Sequence, residues 1–194
     1  METLAPGLRR WTARHESWKE EVASLAVDAD DGLVLIDPIE PPPEVAHPEH
    51  VLLTVFFHER STRDVGAPHV WAAERSVRSL ANRGVEVTDV VSRGARLPGG
   101  IRAIPTARRG EVALWLPEQR AVVVGDVLLG AGAKPRATED PLRLCPERWL
   151  GKGSHEELRD SLRPLLELPV ELVLCAHGRP VLQDGLRELE RVVA

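Results

Sequence analysis

Three apolar runs in this chain each lead into a polar residue: Val51-Leu-Leu-Thr54, Val122-Val-Val-Gly-Asp126 and Leu172-Val-Leu-Cys-Ala-His177. Short runs of consecutive aliphatic residues without polar alternation read as strands covered on both faces, so the fold must place a layer above and below them. They are too short for helices, which need roughly ten or more residues of 3.6-residue periodicity. Asp126 and His177 then lie just past strand ends, where side chains from different strands converge. At 194 residues the chain is long enough for a sizeable two-sided core, and residues 1–194 are expected to form a single domain.

The remaining elements follow from alternation, turns and caps. Leu8 to Arg14, Glu21 to Val27 and Leu33 to Ile36 read as a β meander, with Asp30-Asp31-Gly32 as a hairpin turn. Asp37-Pro38 stops the third strand, and Pro41-Pro-Pro43 keeps the chain extended as a loop up to Val51. After the Val51 to Thr54 strand come a short helical segment near Ser61, a strand at His69 to Trp71, and a helix from about Ala73 to Asn82 ended by Gly84. Ile101 to Ile104, Glu111 to Leu116 and Ala121 to Val124 are further strands, the last two joined through Pro117-Glu118-Gln119. The last third holds helices at Pro146 to Leu150, at Ser154 to Leu166 and from Leu182 onward, around a strand at Glu171 to Cys175. Ser154 and Glu157 have the spacing of a capping box.

Charge and composition narrow the partners. With 25 Lys+Arg against 30 Asp+Glu the net charge is −5, whereas nucleic acid or an anionic membrane surface requires a positive footprint. Neither is expected, and no apolar stretch approaches the ~20 residues of a membrane span. Cys145 and Cys175 lie far apart without CxxC spacing, so neither a disulfide framework nor a thiolate zinc site is expected, and a cytoplasmic location is the default.

The ordered set Leu33-Val-Leu-Ile-Asp-Pro38, Leu52-Leu-Thr54 with its following loop, Gly110-Glu-Val-Ala-Leu114, Val124-Gly-Asp126 and Ala176-His-Gly178 resembles the metallo-β-lactamase superfamily. No single one of these motifs is specific; their order is. The resemblance runs from about Glu21 to the C-terminus. It implies an α+β fold, a four-layer αββα sandwich with its site along one edge between two sheets. In active members the loop after the Leu-Leu-Thr strand carries a His-x-His-x-Asp-His run that converges on two divalent ions. Laid on that run, Val55 and Phe57 stand at the first two histidines, His58 at the variable position, Glu59 at the aspartate and Arg60 at the last histidine. Ala107 stands at the next ligand position. Asp126, which bridges the ions in active members, and His177, which binds the second, are kept. Asp37 resembles the aspartate that ends the third strand and supports the ligand loop.

The candidate site residues are therefore His58, Glu59, Arg60, Asp126 and His177, supported by Asp37. Val, Phe and Ala offer no lone pair, so the two-ion site is expected to be absent and no cofactor is expected. The alternative is one zinc ion on His58, Asp126 and His177. In one reading the Arg60 guanidinium replaces the missing charge by pairing with Asp126; in the other Arg60 points to solvent and Asp126 caps its own turn. His58 and Glu59 are either a displaced ligand pair, drawing in His69, or plain loop residues. Arg108 and Arg109, with Arg60 and Arg179, either line a rim suited to a small anionic ligand or are scattered on the surface. The function expected is that of a pseudoenzyme or small-ligand binder; a hydrolase of the thioester, ester or lactam type with a rebuilt single-metal site is the alternative. A third reading is a structural partner whose cleft is filled by Phe56, Phe57 and Arg60.

Overall fold

The computed structural model describes residues 1–92 and 95–194. Strand β1 (Glu2–Ala5), not expected from the sequence, pairs onto the expected antiparallel meander of β2 (Leu8–His15), β3 (Glu20–Ala29) and β4 (Gly32–Ile36). Strands β5 (His50–Leu53), β6 (His69–Ala73) and, after helix α1 (Glu74–Ala81), β7 (Asp89–Val91) then join in parallel, completing a seven-stranded sheet in chain order. The second sheet is built from β8 (Arg102–Pro105), β9 (Val112–Leu116) and β10 (Ala121–Val124). A small ribbon follows, β11 (Leu128–Gly130) with β12 (Leu142–Leu144), and then helix α2 (His155–Leu162). Strand β13 (Leu172–Cys175) returns beside β10 in parallel, giving the order β13-β10-β9-β8, and α3 (Gly185–Val193) closes the chain.

Alternation along each strand divides the core into three layers. In β5, Leu52 faces the second sheet, with Leu25, Ile36, Leu114, Val123 and Leu174. Its neighbours Val51 and Leu53 face the other way, with Leu35, Val70, Ala72 and Leu80 of α1. In β10, Val122 and Val124 turn outward to Leu158 and Leu162 of α2 and Leu189 of α3. Both sheets are thus covered on both faces, which is why these strands are apolar throughout. Truncating a fully buried leucine such as Leu52 would cost about 2–5 kcal/mol through lost transfer energy and the cavity left behind.

Where the elements differ from expectation, local chemistry explains it. The helical turn after β5 is a 3-10 turn at Phe56–His58, not near Ser61, and it turns His58 inward. The capping box on Ser154 and Glu157 forms, but the helix is α only to Leu162 and continues as a 3-10 segment, Arg163–Glu167. Pro164 has no N–H with which to continue the α-helical ladder. The last helix starts at Gly185, because Val181 is held in a bridge to Val173. Strands β1, β7, β11 and β12 are only three or four residues long and leave little pattern to read. Among the described residues, no helix is long and apolar enough to cross a membrane.

Candidate functional site

Polar residues collect where the strands of both sheets end. Asp37 follows β4, Thr54 follows β5, Asp126 follows β10 and His177 follows β13, while the β2–β3 turn brings Trp18 and Glu20 over them. Asp37 has a left-handed backbone, φ 49°, which costs a non-glycine residue roughly 1 kcal/mol or more. Its carboxylate is thereby turned into the interior. Oδ1 accepts the Thr54 N–H at 2.9 Å, and Oδ2 accepts the Thr54 hydroxyl at 2.5 Å and lies 2.7 Å from His58 Nδ1. Two close backbone approaches fix the other half of the site. Gly125 leaves room for Thr54 Oγ1, 2.6 Å from where a Cβ would stand, and Gly178, at φ 83°, passes against the Gly130 carbonyl. A side chain at either position would push the His177 or Asp126 loop off its neighbour.

Asp126 is the centre of the arrangement. Its Oδ1 lies 3.2 Å from His58 Nε2 and 3.2 Å from His177 Nε2, and its Oδ2 accepts Arg108 Nη1 at 2.5 Å. The same Nη1 reaches Glu111 Oε2 at 2.8 Å, and Arg108 Nε donates to the Trp149 carbonyl at 3.1 Å. Glu111 Oε1 accepts the N–H groups of Asp126 and Val127 at 2.7 and 2.9 Å, so it holds the Asp126 backbone as well as the arginine. On the outer side His177 Nδ1 lies 3.5 Å from Glu20 Oε2, and the Trp18 ring roofs the two imidazoles, 6.0 Å from His58 and 5.5 Å from His177.

Charge follows from this geometry. Burial, then the nearby Arg60 guanidinium, pushes His58 toward its neutral form, but Asp37 and Asp126 outweigh both and its pKa is raised. Burial alone would raise Asp126; the charge on His58, with hydrogen bonds from both histidines and the charge of Arg108, holds it well below the usual carboxylate range. Glu111 goes the other way: burial and the negative charge of Asp126 raise its pKa against the pull of Arg108.

The expected residues divide. His58, Asp126 and His177 meet, with Asp37 behind His58. Glu59 turns away to an ion pair with Arg83 at 2.8 Å. His69 lies at the start of β6 and pairs with Asp89, away from the other histidines of the site. Arg60 neither pairs with Asp126 nor extends into solvent: its Nη1 donates to the carbonyls of Ala23 and Asp37, both at 2.9 Å, and its guanidinium lies 5.9 Å from the Trp18 ring centroid. The cation at Asp126 is Arg108 instead, because Arg60 is drawn to backbone acceptors in β3 and just past the end of β4. Arg179 pairs with exposed Glu139 and takes no part. Glu111, Glu20 and Trp18 have no signal in the sequence beyond their ordinary strand and turn positions. Arg108 had one, as the neighbour of Ala107 and three residues before an acid.

The site opens into a cleft of ≈ 540 Å³. Trp18, Phe57 and Trp149 give it aromatic walls, and Arg108, Lys134 and Arg148 lie among its polar residues. At the positions where the sequence resemblance would place further ligands, Val55, Phe57 and Ala107 offer no donor side chain, and Arg108 Nη1 lies within hydrogen-bond distance of both Asp126 and Glu111. A single ion does fit the donor types, since one ligand atom each from His58, Asp126 and His177 lies within 4.8 Å of the others. The carboxylates facing both Nδ1 atoms are also the usual support for ligating histidines.

The architecture is similar to that of solved metallo-β-lactamases. The enzyme from Erythrobacter litoralis with β-mercaptoethanol in its active site superposes with a TM-score of 0.69 at 14% identity, covering 99% of this chain and 94% of that one. DIM-1 gives 0.68 at 12% identity, covering 99% and 95%. The mono-zinc form of FIM-1 from Pseudomonas aeruginosa gives 0.63 at 17% identity, covering 97% and 91%. No family model and no curated protein matches the sequence. The chain therefore has the metallo-β-lactamase fold, and identities this low speak for the fold alone.

Proposed function

We propose that this protein is a pseudoenzyme of the metallo-β-lactamase fold: a metal-free, cytoplasmic binder of a small anionic ligand. The observation that carries the reading is Arg108, which holds Asp126 and Glu111 together with one guanidinium nitrogen. A permanent cation there supplies the positive charge that a bridging carboxylate otherwise takes from metal, and it cannot give up a proton or open a coordination site. The aromatic walls and the basic residues of the cleft suit a flat, negatively charged molecule. Both cysteines are buried and unpaired, with burial pushing their thiols up to about 12, which accords with a reducing compartment and gives no nucleophile.

Protein purified without chelator tests the reading by metal analysis. Far less than one zinc, iron or manganese per chain is expected, and chelation should leave the melting temperature where it was. Stoichiometric, tightly held metal would overturn it. That outcome would favour a second reading, a thioester, ester or lactam hydrolase with one zinc ion on His58, Asp126 and His177, which rests on the convergence of those three donors. The ion would there polarise a carbonyl and activate water, and His177→Ala should release it.

A further inference from the structure

The main cleft continues past Phe57 and Trp149. Behind these rings is a second hollow of ≈ 410 Å³, to which Arg75, Ser79 and Arg109 contribute, while Phe57, Arg108 and Trp149 line both spaces. Among the described residues, three arginines and no acid line this hollow, in a chain whose net charge is −5.

The arginines reach it by a specific clamp. The Ser76 hydroxyl, in the first turn of α1, donates to the Gly110 carbonyl at 2.7 Å. Gly110 lies at φ 78°, and a Cβ there would stand 2.7 Å from Ser76 Oγ, so only glycine lets the β8–β9 loop come this close to the helix. Arg75 and Arg109 each precede one member of the clamped pair and are thereby delivered to the same hollow. Both are exposed and, among the described residues, neither has a carboxylate partner, unlike Arg108 on Asp126 and Glu111 or Arg83 on Glu59. Two uncommitted guanidiniums on one concave, acid-free surface can bind the oxygens of a phosphate or carboxylate.

We propose that the second hollow is an anion subsite. It takes the phosphate or carboxylate of a two-part ligand whose flat apolar body lies in the main cleft between Trp18 and Trp149. The assignment rests on the ligand-binding reading above and adds to it the ligand's two parts and the residues that recognise the charged one.

Four probes test it by titration calorimetry and by quenching of tryptophan fluorescence: 1-naphthyl phosphate, 1-naphthoate, uncharged 1-naphthol and inorganic phosphate. At least one naphthyl anion should bind about 10-fold or more tightly than 1-naphthol, and the tighter of the two identifies the anion class. The double variant Arg75→Ala/Arg109→Ala, at two exposed positions, should keep the parent's melting temperature, weaken that anion by about 10-fold or more, and leave 1-naphthol within about 2-fold. Inorganic phosphate alone should bind more weakly than 1-naphthyl phosphate. Unchanged anion affinity in the double variant, equal binding of anion and 1-naphthol, or no anion binding at millimolar concentration would overturn the subsite. Each titration is repeated after chelation. Anion binding that vanishes with the metal also overturns the subsite, whereas stoichiometric metal with anion binding that survives chelation overturns only the metal-free reading.

Discussion

Two histidine–aspartate contacts of nearly equal length lie at opposite ends of the first sheet. His58 Nδ1 is 2.7 Å from Asp37 beyond the C-terminal ends of β4 and β5, and His69 Nδ1 is 2.9 Å from Asp89 where β6 and β7 begin. The first pair is sealed, with His58 0% exposed, while the side chains of the second are 44% and 29% exposed. Attraction between charges depends on the medium as strongly as on distance, and the same contact is weakened several-fold where water reaches it. The sealed end also cannot be reduced to pairs. Asp126 there is shared by two imidazoles and a guanidinium, so losing any one partner unbalances the rest of a largely buried set.

The largest effect should come from Arg108→Ala. It leaves Asp126 and Glu111, both buried, without their shared cation, and should cost about 3–5 kcal/mol if the site stays dry. The double variant with Asp126→Asn should recover part of that loss, since it removes one of the stranded charges. Urea denaturation of the four proteins measures the coupling. Strictly additive losses would mean that the two groups do not act as a unit.

Arg60 should come next. Its guanidinium serves the backbone carbonyls of Ala23 and Asp37 and lies over Trp18, so Arg60→Met should cost about 1–3 kcal/mol, chiefly at Ala23 because Ser24 Oγ still donates to the Asp37 carbonyl, and with weaker dependence than Arg108 on whether residue 126 is Asp or Asn. Coupling to Asp126 as strong as that of Arg108 would contradict the geometry.

These two arginines show what the sequence could and could not tell. Apolar strands, proline stops and the Ser154–Glu157 cap are local signals, and they made the sandwich legible. Asp126 and His177 were legible because strand ends place them. Identifying the cation at Asp126 required knowing the path of two loops: the left-handed φ of 34° at Arg60 belongs to one in which its side chain bonds carbonyls at 2.9 Å, while the Gly110 clamp brings the β8–β9 loop toward the site. Neither path is written in the spacing of the arginines. Glu111 was hidden for a similar reason, since an acid opening a strand ordinarily faces water, and only the space left by Gly125 admits its carboxylate.

The sealed end should also give stability a distinctive pH dependence. His58 is raised in the folded protein, so its contribution is complete below the unfolded value of about 6.5 and is lost as pH rises through the higher folded value. Asp126 is depressed, so its contribution is complete above about 3.9 and is lost as pH falls through the folded value. The His58 and Asp126 contributions are therefore both complete between about pH 4 and 6.5, and stability of the metal-free protein should decline on the alkaline side; Glu111, raised in the fold, adds its own loss as pH rises above about 4.3. His58→Gln should flatten that alkaline decline. A parent curve that keeps rising above pH 7 would mean that His58 is neutral in the fold.

The smallest effect is expected at the open end, where the comparison is most easily broken. His69 and Asp89 are close enough for a good hydrogen bond, and Thr88 Oγ1 also donates to Asp89 Oδ2 at 2.8 Å. Water can replace either partner at this surface, and an exposed pair of this kind contributes about 0–1 kcal/mol. His69→Ala and Asp89→Ala should each shift the urea midpoint by no more than that, and a further 0.5 M salt should erase most of the coupling between them, because exposed charges are screened over ~10 Å or less at such ionic strengths. The coupling of Arg108 with Asp126 should lose far less in the same salt, since their side chains are only 12% and 9% exposed. A salt-resistant His69–Asp89 coupling as large as that of Arg108–Asp126 would show that burial is not what separates the two ends, and the sealed network would lose its claim to act in place of a metal.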